Sequence, residues 1–147
     1  MSTIIDGSAG ITTNAGGSVN PSTNIDGINY SCRAWVNFDG TKDTTGATST
    51  SNTNRLIRGS GNVTSVLRNG TGDYTVTFTT AMTDANYSVA LCTTGGSSGN
   101  VTRNILIAGA NATGAIQKTA SALRIQAGDT TASALYDMAE ISVQIFR

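Results

Sequence analysis

The sequence predicts an all-β protein built as an antiparallel β-sandwich, and three observations carry that expectation. Tyr74, Val76 and Phe78 alternate with Thr75, Thr77 and Thr79. Side chains on a strand point to opposite faces with period two, so the first set lines a core and the threonines face water. The alternation returns in Tyr87, Val89 and Leu91, in Leu123 and Ile125, and in Ile141, Val143 and Ile145. Gly, Asn and Asp punctuate these runs at spacings of roughly 8–15 residues, which suits about seven or eight short strands.

Taken in order, the chain opens on a stretch with little to bury. Residues 1–29 hold too few apolar side chains to form a face, and Gly16-Gly17, Asn20-Pro21 and Asp26-Gly27 interrupt them. Two readings fit: an unstructured leader, or an extended attachment arm that orders when docked on a larger particle. The sandwich then occupies residues 30–147. Tyr30 to Phe38 is its first strand, with Cys32, Ala34, Val36 and Phe38 on one face and Arg33, Trp35 and Asn37 on the other. Trp35 is either core or subunit interface, or a platform on which a sugar ring stacks. Asp39-Gly40 ends the strand, and Thr41 to Asn54 is a polar, exposed loop, either mobile or functional.

From Asn62 to Leu91 the pattern predicts a three-stranded antiparallel meander. Asn69-Gly70-Thr71-Gly72 supplies the positive-φ residues that a tight or bulged hairpin needs, and Asp84-Ala85-Asn86 turns the chain again. A glycine-rich loop over Thr93 to Asn100 leads to a strand over Val101 to Ala108. After a second loop come a strand over Ala122 to Ala127, a turn from Gly128 to Thr131, and a last strand from Ile141. Between them Ala132 to Glu140 could form one or two helical turns through Ala134, Leu135 and Met138, but an extended or irregular connection is preferred.

Composition narrows the function. Lys+Arg and Asp+Glu both number 9, and the arginines are scattered. No basic run tracks a phosphate backbone, so no nucleic-acid partner is expected. No apolar run approaches the roughly 20 residues that span a bilayer, so membrane insertion is not expected either. The chain has no histidine, which removes Ser/His and Cys/His nucleophile pairs. Its acids sit beside Gly, Asn or Thr, where turn capping is the default role, and no enzymatic activity is expected. Cys32 and Cys92 each fall in a strand-like run that suits a free, buried thiol over a disulfide. No metal or other cofactor is expected. Gly, Ser, Thr and Asn make up about half of the residues. So light a core suggests that identical copies of the chain complete the burial.

The string NGTGDYTVTFTTAM, followed after Thr83 by DANYSV, occurs downstream of Cys32-Arg33-Ala34-Trp35-Val36-Asn37-Phe38-Asp39-Gly40-Thr41. Together these segments resemble the C-terminal domain of bacteriophage tail-fibre proteins, the type common in marine and cyanobacterial phages. The resemblance runs from about Ile28 to Arg147, with Thr83 where that family usually has proline. It implies a virion structural protein, a homotrimer about a fibre axis, made in the host cytoplasm and assembled on the particle. It favours the attachment-arm reading of residues 1–29, which would join other tail or baseplate proteins. It also implies host attachment, here to a host-surface polysaccharide. The last third, with Leu135-Tyr136 and Ile141-Ser142-Val143, is more faintly similar to small trimeric sandwich lectins of the H-type. Candidate receptor-binding residues are Asn100, Arg103, Asn111, Asp129 and Tyr136, each a polar or aromatic side chain in or beside a loop. The alternative is a capsid decoration or adaptor protein that cements the particle and binds no receptor. A depolymerase would need two carboxyl groups about 5–10 Å apart in a cleft, met across a trimer interface.

Overall fold

The computed structural model describes residues 31–94, 103–109, 117–129 and 134–147. The expected arm, residues 1–29, lies outside the described residues, as do Asn100 and Asn111. The described chain is all-β, with eight strands and no helix: β1 (Cys32–Asp43), β2 (Arg55–Gly61), β3 (Val63–Gly70), β4 (Asp73–Phe78), β5 (Ser88–Thr93), β6 (Arg103–Ile107), β7 (Ala122–Asp129) and β8 (Ile141–Phe146). They form two four-stranded antiparallel sheets, ordered β2-β1-β8-β5 and β3-β4-β7-β6.

One apolar cluster joins the sheets. The first contributes Val36, Phe38, Ile141, Val143 and Ile145; the second contributes Val66, Tyr74, Val76, Leu123 and Ile125. All but Val66 are inward residues that the period-two alternation above assigns, and Val66 joins them as the cross-strand partner of Val76. Phe38 meets Tyr74 edge-on, with ring centroids 5.2 Å apart. Side chains with no exposed surface, such as Phe38, Leu123 and Ile141, each contribute on the order of 1.5–3 kcal/mol of burial free energy.

The chain passes from the first sheet to the second at Asn62, between β2 and β3. Asn62 has φ 56, a left-handed conformation that asparagine tolerates better than most residues. Its side chain then fastens the corner. The amide nitrogen donates to the Arg33 carbonyl at 3.1 Å and the Thr80 carbonyl at 3.0 Å, while its oxygen accepts from Thr80 N at 2.7 Å.

Three expectations need correction. The meander does not form: β3 and β4 make the expected hairpin, but β5 crosses to the other sheet and pairs with β8. Between them Met82 and Tyr87 are buried, and Met82 N donates to the Ala120 carbonyl at 2.7 Å, so the linker closes one end of the core and does not turn back beside β4. The first strand does not end at Asp39-Gly40 but runs to Asp43, because Asp39 is held in place by Arg58 at 2.7 Å and by the Thr41 hydroxyl at 2.6 Å. The cysteines are free as expected, but both are exposed. A register shift between Cys32 and Ala34 takes Cys32 out of the inward row, and Cys92 stands on the face opposite Val89 and Leu91.

The loop between β1 and β2 is organised by two arginines from the neighbouring strands. Arg55, 1% exposed, donates to the Ser49, Ser51 and Thr53 carbonyls. Arg68, 4% exposed, donates to the Thr50 carbonyl and the Asn52 side-chain oxygen. A stretch with no apolar anchor is thereby fixed by polar groups, its carbonyls satisfying guanidinium donors that would otherwise be stranded out of water.

Candidate functional site

Three of the expected contact residues come together at one end of the β3-β4-β7-β6 sheet. Arg103 opens β6 and Asp129 closes β7, and the two are direct cross-strand partners. They share the face that carries Ile105 and Ala127 into the core, so Arg103 is drawn inward: its side chain is only 13% exposed, and that of Asp129 9%. The third member, Tyr136, is 39% exposed, and its ring centre lies 4.4 Å from the Arg103 guanidinium carbon. That is cation–π range, and it places a flat, half-open aromatic ring against a planar cation.

The segment carrying Tyr136 is irregular but tightly held. Tyr136 N donates to the Ala127 carbonyl at 3.0 Å, and Asp129 N to the Ala134 carbonyl at 2.9 Å, which extends the sheet past the β3–β4 turn. Gly72 makes room for this. It has φ +64, and a Cβ there would collide with the Ala127 carbonyl and sit 2.6 Å from Tyr136 N.

Asp137, the next residue, is the anchor. Its carboxylate accepts from the Tyr74 hydroxyl at 2.6 Å, from Gly72 N at 2.8 Å, and from Arg68 Nη2 at 2.8 Å and Nε at 3.0 Å. Burial alone would raise the Asp137 carboxyl, but the bonds from Arg68, Tyr74 and Gly72 outweigh it and hold the group below the usual carboxylate range. The same burial, with the Asp137 bond, pushes the Tyr74 hydroxyl well above the ordinary tyrosine range. The backbone that presents Tyr136 therefore rests on a buried arginine–carboxylate–tyrosine network.

A second carboxylate network lies on the outer face of the same sheet. Asp73 accepts two bonds from Arg124, both 2.8 Å, and one each from Gln126 and Asn69. These bonds overcome the upward push of burial and lower its carboxyl as well. Turn capping, the expected role of the acids, holds for Asp43 and Asp84, which accept from Thr45 N and Asn86 N. Asp39 both caps, accepting from Thr41 N at 2.9 Å, and pairs with Arg58, whereas the expectation fails for Asp73 and Asp137, which serve ion pairs. The signal was available in sequence: Val66 and Arg68 share one strand face, so a buried Val66 places an arginine inside that must find a carboxylate.

Arg103 is the unusual member. Its Nη1 lies 3.6 Å from Asp129 Oδ2, near enough for an ion pair but too long for a hydrogen bond. Both Nε and Nη1 are buried and donate no hydrogen bond. A buried donor left unused costs about 1–3 kcal/mol, so an acceptor oxygen brought within reach of Arg103 would be stabilised there. Hydroxyl or carboxylate oxygens are the matching chemistry. Compared with known protein families, curated proteins and solved structures, the chain matches none.

Proposed function

We propose that this protein is a bacteriophage virion component, a tail fibre or fibre tip, that attaches to a host-surface glycan through the Arg103–Asp129–Tyr136 cluster. The observation that carries the glycan reading is the pair of unspent Arg103 donors beside the half-exposed Tyr136 ring. Neutral sugars are held by directed hydrogen bonds and an aromatic face, not by net charge, and this cluster offers both on a chain of formal net charge +0. The virion reading rests on the resemblance to tail-fibre C-terminal domains.

In that reading the two sheets with their shared core form a β-sandwich. Three copies assemble about a fibre axis, and residues 1–29 form the arm that joins tail or baseplate proteins. Closed symmetric assembly also deals with the edge strands β2, β3, β5 and β6, whose open backbone groups invite mispairing. The test is binding of the purified full chain to intact host cells and to a glycan array. Saturable binding that free sugar competes away supports attachment. Binding to the virus particle alone, with none to cells or glycans, would instead mark the protein as a cement or adaptor.

A further inference from the structure

On the opposite sheet, Trp35 projects from the outer face of β1 and is 44% exposed. Its cross-strand partner is Gly61 on β2 and, on the other side, Gln144 on β8, which is itself paired with Ala90 on β5. A Cβ on Gly61 would lie 2.5 Å from the indole Nε1 and 2.9 Å from Cδ1; one on Gly59 would lie 3.3 Å from Cη2 and 3.4 Å from Cζ3. Atoms from both long edges of the indole, at both of its ends, thus meet the two glycines. The ring rests on the strand by its face and spans two glycine positions whose missing side chains let it lie flat. Substituting either glycine would lift it.

Covering glycine backbone is a structural service that aromatic residues perform on sheets. It accounts for the inner face of the indole and leaves the outer face unexplained. The surroundings decide what that outer face suits. Around Trp35 on the same sheet surface stand Arg33 and Asn37 along β1, and Gln144 and Ser142 on β8. Asn37 is oriented by bonds to the Ser142 hydroxyl at 2.9 Å and the Glu140 carboxylate at 3.3 Å. The Arg33 guanidinium and Gln144 amide make no hydrogen bond among the described residues. A protein–protein interface of ordinary size buries about 800 Å² per partner around a cluster of large apolar anchors. On this face Trp35 is the one exposed large apolar side chain among the described residues; Phe146, at the end of the β8 row, is half-buried, and the others are small or polar: Ser88, Ala90, Cys92, Ser142, Gly59 and Gly61.

We infer that Trp35 is the floor of a second glycan subsite, which stacks the C–H face of a neutral hexopyranose on the indole and engages its hydroxyls with Arg33, Asn37 and Gln144. The inference rests on the glycan-attachment reading above. The physical match is direct. One face of a pyranose presents weakly positive C–H groups, the indole face carries negative quadrupole density, and the sugar's rim of hydroxyls requires both donors and acceptors.

Because the chain contains one tryptophan, its emission reports on this residue alone. The full chain is titrated with glucose, galactose, mannose and N-acetylglucosamine oligomers while emission and iodide quenching are followed, and the same sugars are bound to Trp35→Ala and Trp35→Phe. The expected result is a saturable emission change with protection from iodide, and at least about a tenfold loss of affinity in Trp35→Ala, the loss typical of a truncated aromatic anchor. Trp35→Phe should retain most of the affinity, and both variants should keep the cooperative unfolding transition. A sugar that binds with no change in emission, and binds Trp35→Ala equally well, overturns the subsite but leaves the glycan reading standing. A tryptophan already shielded from iodide without sugar also overturns it, because another surface would then cover the indole. No sugar binding at all overturns both.

Discussion

Replacing Asp137 by asparagine isolates the anchor beneath the candidate site. The change conserves shape, so no cavity forms, but it removes the charge facing Arg68, whose side chain is 5% exposed. The new amide nitrogen is also a donor, set against the Arg68 and Tyr74 donors that the carboxylate had accepted. Removing one partner of a buried ion pair typically costs about 3–5 kcal/mol, because the remaining charge is stranded. Exposed pairs behave differently. Asp84→Asn breaks the pair with Arg147, whose side chains are 34% and 41% exposed, and should cost less than about 1 kcal/mol. In a unit of this size each kcal/mol lowers Tm by about 3–6 °C, so Asp137→Asn should fall by about 9–30 °C while Asp84→Asn moves by a few degrees. Urea melts followed by circular dichroism and by Trp35 emission give the two free energies at neutral pH. A loss for Asp137→Asn no larger than that for Asp84→Asn would refute the reading of Asp137 as counter-ion to a buried arginine.

Other outcomes follow from the same geometry. Asp73 and Asp137 have lowered carboxyl pKa values, so their stabilisation is fully present above the unfolded value of about 4 and is lost as pH falls below it through the folded values; acid melts should weaken there. Burial pushes the Tyr87 hydroxyl up to about 12 and Tyr74 higher still. Raised values act in the other direction, so their contribution is complete below about pH 10 and declines above it, and the alkaline loss of stability should be smaller in Tyr74→Phe than in the unmodified chain. Gly72→Ala forces a side chain into a left-handed backbone against Tyr136 N, and a chemical melt should show a loss of about 1–3 kcal/mol. Asn62→Ala loses both the tolerated φ and the bonds to Thr80 and Arg33, whereas Asn62→Gly keeps the φ. The alanine variant should be the less stable of the two by about 1 kcal/mol in the same assay.

How much was legible in the sequence depended on what period two can say. Alternation names the residues that share a face, and it identified the inward rows of β4, β7 and β8 residue by residue. It does not name the sheet. The alternation of Tyr87, Val89 and Leu91 points them at the core, and Tyr87 is buried with Val89 and Leu91 packed against the cluster, yet their strand belongs to the other sheet. Only the burial of Met82 and Tyr87 in the linker separates a crossing from a meander, and an apolar residue in a turn looks like any other. Alternation applied to Cys92 would have exposed it, since its neighbour Leu91 faces inward. The glycine before Thr41 read as a stop because glycine usually interrupts strands. Here Gly40 is instead the place where Tyr74 and the Met138 carbonyl press against β1, a close approach that only the assembled core creates.

The site was legible in part for a related reason. Arg103 and Asp129 became partners once β6 and β7 paired, which their strand patterns allowed, and Tyr136 followed through the Asp137 anchor. Which carboxylate Arg68 meets, here Asp137, leaves no local mark in the chain. What sequence does show is an arginine on the inward face of β3 and a polar loop with no apolar residue to hold it, and these two facts explain each other.

The most direct measurement is a glycan array probed with the unmodified full chain and with Tyr136→Ala. Tyr136 is half-exposed, so its truncation leaves the fold standing while removing the aromatic face beside Arg103. The account predicts that the unmodified protein selects a defined set of glycans and that Tyr136→Ala, with an unchanged unfolding transition, loses them by about tenfold or more. Equal binding by the two proteins, or no glycan bound by either, would contradict it.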